Sequence, residues 1–376
     1  MERRYDIDWL RNFGILLLFP FHSARVFDHW NPFYVKSEQL DWGLSWFIAL
    51  TSYWFMPLLF WLAGASCWYA LRVRSNKQIR QDRIQRLFIP FVFGLLLVIP
   101  PQGYYAKLAH TGEAGSYLTF LGTFFTDFSD LSGYFGTFTP AHLWFILYLF
   151  VLSLVALPFF TFFTDPKRAE TVQRFHHVFS QPTTFISFFI VLVLLQALPA
   201  PGGQNPFFFL ALLIMGFISC SDARYQDLFN RIRFRSFLAT LILVPLMFAF
   251  MQQRETLPYA GILLPYLRSL NTWLTLIVIL GYGHQWMNFP HKCLAYFNEA
   301  AFPVYILHQT VLVVVGYYVL PLNLGVYPMF ILIMVLTLVL SVLLYEWIIK
   351  RTAVMRWLFG VKVRATASKQ VELTSP

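Results

Sequence analysis

The sequence predicts an all-α fold, a polytopic integral membrane protein of about ten transmembrane helices with both termini in the cytoplasm. Three observations predict it. Hydrophobic residues make up 58% of the chain and charged residues 12%, about half the charge of an average soluble domain. Mostly apolar runs of membrane length recur along the whole chain, each enough to cross a hydrocarbon layer about 30 Å thick. The Lys and Arg residues behind the net charge of +10 fall in short segments between those runs, where they read as topology determinants and not as a surface for nucleic acid. No stretch is left over for a separate soluble domain. A single transmembrane domain is expected over residues 1–363, with a short polar cytoplasmic tail at 364–376.

The first span, 9–27, follows Arg3 and Arg4, which mark its inner end. Its apolar run is too long for a cleaved signal, holds Arg11, and lacks a small-x-small cleavage site, so it is expected to stay in the mature protein. Span two, 46–71, returns to an inner cluster of Arg72, Arg74, Lys77, Arg80, Arg83 and Arg86. Span three, 87–105, leads to the longest outer connection, 106–141, with Glu113, Asp127 and Asp130 among Gly, Thr, Phe and Tyr. Aromatic faces among acids and hydroxyls suit a sugar or a headgroup, although an interfacial aromatic belt over a solvated loop is the plainer reading. Span four, 142–163, ends before Lys167, Arg168 and Arg174; spans five, 183–198, and six, 207–220, are short and lead to Arg224, Arg231, Arg233 and Arg235. Spans seven, 237–251, and eight, 270–287, return to Lys292, and spans nine, 300–320, and ten, 329–349, end at Lys350, Arg351, Arg356, Lys362, Arg364 and Lys369. Outside fall only Lys36, Lys107, Arg254 and Arg268, and this asymmetry sets the orientation. Pro20, Pro57, Pro245 and Pro303 lie inside spans, where each frees a carbonyl that needs another donor.

Arg11 and His22 are the first candidates for chemistry. Eleven residues at about 100° each bring them to one helical face, roughly 16 Å apart along the axis. A charge well inside a bilayer costs roughly 2.5 to 3.5 kcal/mol, which makes an intramembrane Arg a functional candidate. Taken singly, the Arg can snorkel and the His can be a satisfied contact between helices. Arg83 and Arg86, three apart before span three, can clamp a phosphate-bearing ligand, or can simply signal the inner side and touch headgroups. His142 and Trp144 open span four at the outer side, where His142 has an interfacial reading as well. In span nine, Tyr305 and His308 share a face, with His308 roughly 12 Å inside by helical rise; a structural bond between helices is the alternative. Arg25, a turn beyond His22, either pairs with Asp28 or meets an acidic group of a substrate. Glu346 lies four before Lys350, which a surface ion pair explains.

Several chemistries find no support. Cys67, Cys220 and Cys293 have no metal-ligand spacing and no even count, so neither zinc nor a disulfide framework is expected. The chain has no Gly-x-Ser-x-Gly elbow, phosphate-binding glycine loop or His-Glu-x-x-His. What remains is acid or base work by histidine, whose pKa lies near neutrality and moves easily with burial.

Arg11 and His22, ten residues between them, together with the lead-in Asp8-Trp9-Leu10-Arg11, resemble the Arg-x10-His signature of the membrane-bound acyltransferase-3 family. Arg83-x-x-Arg86 before Pro90, His142-Leu-Trp144, and Pro303-Val-Tyr305-Ile-Leu-His308 are similar to that family's later landmarks in order and spacing, nearly end to end. Phe19-Pro20-Phe21-His22 and the lack of an appended soluble domain are similar to its glucan-modifying branch of proposed succinyltransferases. The resemblance implies an enzyme that moves an acyl group, acetyl or succinyl, from cytoplasmic acyl-CoA to a hydroxyl of a carbohydrate or glycan outside a bacterial plasma membrane. It implies acyl-CoA as a co-substrate with no permanently bound cofactor, His22 and His308 as catalytic residues, Arg11, Arg83 and Arg86 at the donor, and His142, Trp144 and Tyr305 at the substrate. A transporter of a small anionic or glycan-related substrate is the rival, since broken helices and buried polar groups suit it too. No paired interrupted segments suggest repeated halves, which favours the enzyme. A non-catalytic membrane partner would leave Arg11 and His22 unexplained.

Overall fold

The computed structural model describes residues 3–362; the tail expected at 364–376 lies outside them. Among the described residues the chain is helical and holds no strand, as expected where lipid offers the backbone no partners. The first helix, α1 (Tyr5–Arg25), begins before its apolar run because Asp6 and Asp8 occupy its first turn, where carboxylates oppose the positive end of the helix dipole. Next come α2 (Trp42–Ser52) and α3 (Phe55–Leu71). Asp41 caps α2 by accepting the Leu44 N–H at 2.8 Å. The two are separated at Tyr53 and Trp54, just ahead of Pro57, which has no N–H for the Tyr53 carbonyl. Thr272 supplies the missing donor at 2.8 Å.

The long helix α4 (Asn76–Thr111) contains two π-helical turns, Ile84–Phe88 and Gly94–Val98. After α5 (Tyr117–Phe124) come α6 (Trp144–Val155) and α7 (Leu157–Thr164), bent by 46° where Pro158 opens the second helix. Then follow α8 (Ala169–Phe179), α9 (Pro182–Ser187) and α10 (Phe189–Gln196). The stretch expected as span five is therefore two short helices, bent by 86° from the helix before them. The chain continues as α11 (Pro206–Ser221), α12 (Ala223–Gln252), α13 (Ala260–Met287), α14 (Cys293–Leu322), α15 (Val326–Ile349) and α16 (Ala353–Leu358). The basic stretch before span seven is not a loop: α12 starts at the Asp222 cap and carries Arg224 to Arg235 as helix. Among the described residues, six helices are long and apolar enough to cross a membrane, or up to 8 if each bent pair is one span. The other two expected spans are α1, with its charges, and α11, with 16 residues.

The chain divides into two compact units. The first takes in the chain to Asn31, Leu40–Arg80 and Tyr148–Leu294; the second takes in Pro32–Gln39, Gln81–Leu147 and the chain from Ala295. In the first unit, α3 and α11 touch backbone to backbone. A Cβ on Gly64 would lie 1.8 Å from the Leu213 carbonyl oxygen, and one on Gly216 would lie 1.9 Å from that of Trp61. Small residues thus let two apolar helices close where no hydrophobic force separates helix from lipid. Phe60 on Phe209 at 4.5 Å and Phe160 on Phe217 at 4.1 Å stack around that crossing. In the second unit the Thr310 hydroxyl of α14 bonds the Val98 carbonyl at the end of the second π turn, at 2.8 Å.

Candidate functional site

In the first unit, α1 runs unbroken from Tyr5 to Arg25, so Arg11 and His22 keep the separation of roughly 16 Å that helical rise gives. Its N-terminal end is a set of ion pairs. Arg4 holds Asp6 at 2.6 Å, while Asp8 takes Arg3 at 2.9 Å and Arg11 at 2.7 Å. The Arg11 side chain is 36% exposed. His22 is half-buried, with its ring edge-on to Phe21 at 5.3 Å. Beyond it, Arg25 meets Asp28 at 2.7 Å, and the Asp28 carboxylate also accepts the Trp30 backbone N–H at 2.7 Å. Of the two readings open for Arg25, the pair with Asp28 is the one present; both residues are buried.

In the second unit, Arg83 closes the first α-helical stretch of α4 and Arg86 lies inside the π turn Ile84–Phe88. A π turn holds more residues than an α turn, so the three-residue spacing rotates Arg86 less far than the α-helical reading assumed. Arg86 lies 4.0 Å from Asp82. His142 is 6% exposed, not at an open interface. Its Nε2 sits 2.9 Å from the Ile306 carbonyl of α14. A carbonyl only accepts, so Nε2 is assigned the proton. Nδ1 is then the basic lone pair, buried and without a partner among the described residues. The Tyr305 hydroxyl donates to the His142 carbonyl, and His308 Nδ1 donates to the Tyr305 carbonyl one turn back. The His142 and His308 rings meet edge to face at 4.9 Å.

The structure thus gathers His142, Tyr305 and His308 into one buried cluster, while Trp144 is half-buried and edge-on to Phe145 at 6.4 Å. Arg11 and His22 belong to the other unit. Sequence reasoning passed over three more polar groups here. Gln102 and Gln309 are buried, each with a side-chain atom that has no partner among the described residues, and Thr310 approaches Gln102 at 3.4 Å. A glutamine inside an apolar run was the available signal. Two of the three acids of the 106–141 connection, Asp127 and Asp130, are engaged by the loop itself. Asp127 accepts the Ser129 hydroxyl and N–H, which hold its carboxyl below the usual range, and Asp130 accepts the same two groups of Ser132. The ion pair read from Glu346 and Lys350 is present at 2.8 Å.

An imidazole held among apolar residues can take and return a proton, and guanidinium groups at a helix end can bind phosphate. Comparison with known proteins narrows this chemistry. The family profile described as an acyltransferase domain matches residues 4–346. Glucans biosynthesis protein C of Salmonella gallinarum is 23% identical over 347 aligned residues, covering 85% of this chain and 85% of that protein. The proteins of the same name from Salmonella heidelberg and Salmonella schwarzengrund match at the same 23% and 85%. No solved structure matches the chain significantly.

Proposed function

The chain belongs to the acyltransferase-3 family of multi-pass membrane proteins, and from that premise we propose that it moves an acyl group, acetyl or succinyl, from cytoplasmic acyl-CoA to a hydroxyl of an extracytoplasmic carbohydrate or glycan. In this reading the chain crosses a bacterial plasma membrane ten times with both termini inside. The name of its relatives makes a glucan the first acceptor to test. The observation that carries the reading is α1 itself: one unbroken helix with Arg11 among ion pairs at its N-terminal end and His22 further along.

His22 acts as general base. It takes the proton of the acceptor hydroxyl as that oxygen attacks the thioester carbonyl. Collapse of the adduct breaks the C–S bond, and the imidazolium returns its proton to the leaving thiolate. Arg11, Arg83 and Arg86 hold the phosphates of the donor, since guanidinium suits paired contact with phosphate oxygens. His142, Trp144 and Tyr305 serve the acceptor, and His308 is the second proton-handling residue.

The test is transfer of labelled acyl groups from acyl-CoA to a glucan by purified protein, parent against His22→Ala. The variant should bind acyl-CoA like the parent and lose about 10² to 10⁴ in transfer rate. No label should remain on the protein without acceptor, because the route is direct. Near-parental transfer by a folded His22→Ala protein would return His22 to a structural role.

A further inference from the structure

A cleft of about 430 Å³ lies wholly within the first unit, where three apolar helices stop: α3 at Leu71, α7 at Thr164 and α11 at Ser221. Each stop is followed at once by charge, namely Arg72, then Asp165 with Lys167 and Arg168, then Asp222 with Arg224. Apolar helices giving way to charge around one cleft mark the boundary between membrane and water.

The back of the cleft is closed. His176 is 2% exposed, with Nδ1 3.0 Å from the Tyr225 hydroxyl and Nε2 3.4 Å from Ser221 Oγ. Ser221 spends its one proton on the Ile218 carbonyl at 2.7 Å, so it can only accept from Nε2–H, and Tyr225 donates to Nδ1. With both nitrogens engaged this way, His176 forms a wall and does not activate Ser221 as a nucleophile. Trp68 stands edge-on to Phe217 at 5.3 Å, and the Arg72 guanidinium lies 5.8 Å from its ring centroid. Phe163 and Val172 are buried apolar lining. The remaining charge in the lining is the Asp165 carboxylate, which caps the next turn by accepting the Lys167 N–H at 2.9 Å. One cation, one anion and an apolar wall therefore line a single cleft at a membrane boundary.

We propose that this cleft binds the headgroup of phosphatidylethanolamine, with the phosphate at Arg72, the ammonium at Asp165 and the glycerol end against Phe163 and Val172. A guanidinium matches phosphate, and a carboxylate matches ammonium. A headgroup carrying only negative charge would meet Asp165 unfavourably, and a soluble phosphate would leave the apolar wall unused. None of these residues has a part in the acyl transfer proposed above.

Native mass spectrometry of the full chain in detergent tests this with phosphatidylethanolamine, phosphatidylglycerol, phosphoethanolamine and coenzyme A as probes. The parent should retain phosphatidylethanolamine about two- to fivefold better than phosphatidylglycerol, the range of one exposed ion pair. Asp165→Asn keeps a capping side chain and should erase that preference, while Arg72→Gln should weaken both lipids. Equal retention of the two lipids by the parent, or a preference untouched by both substitutions, overturns the proposal. Displacement of the lipid by equimolar phosphoethanolamine or by coenzyme A also overturns it, by assigning the cleft to a soluble ligand.

Discussion

Arg11 shares the Asp8 carboxylate with Arg3, an arrangement that holds its guanidinium in place at the N-terminal end of α1. Lysine would keep the charge but lose the planar fork. Replacing Arg11, Arg83 and Arg86 together by Lys should therefore weaken acyl-CoA binding at least about tenfold, since charge-assisted bonds are worth about 1.5 to 3 kcal/mol each. Calorimetric titration with a non-hydrolysable donor checks this; parental affinity in the triple variant would leave the three as topology signals. At this scale the sequence spoke unevenly. Arg25 and Asp28 were visible as possible partners because they lie three apart, and they pair. The burial of His142 was hidden, because its partner, the Ile306 carbonyl, is 164 residues away and no local pattern encodes it.

Among the elements, the crossing of α3 and α11 is the tightest contact in the first unit. At Gly64 a methyl group would fall 1.8 Å from a backbone oxygen, which no rotamer change can relieve. Gly64→Ala should thus separate the two helices and cost about 1 to 3 kcal/mol or more. Thermal unfolding in detergent reads this as a lowered midpoint, and an unchanged midpoint would show that the helices can move apart freely. Gly64 and Gly216 stand singly in apolar runs, so nothing in the sequence paired them. The ten apolar runs, by contrast, were legible from the hydropathy pattern, and each falls on helical chain, with breaks inside spans two, four and five. Their breaks were only half legible. Pro57 was visible inside span two, but so were Pro20, Pro245 and Pro303 in spans that stay continuous, and the helical continuation of α12 into its basic stretch was not foreseen, because Lys and Arg mark a membrane face and say nothing against helix.

For the whole molecule, the family match over residues 4–346 supports a membrane acyltransferase, and in the proposed reaction the donor is served from one face and the acceptor from the other. The order of landmarks along the chain made the family legible. The grouping of those landmarks into units was not, because the second unit joins three separated stretches of chain. Sided acyl transfer tests the central claim most directly. In sealed vesicles whose orientation is fixed by impermeant labelling of a Ser129→Cys variant, labelled acyl-CoA is supplied on the face of the termini and glucan on the face of Ser129. The account predicts acyl glucan in that arrangement and none when donor and acceptor change places; transfer that is equal in both arrangements, or absent from both, would contradict it.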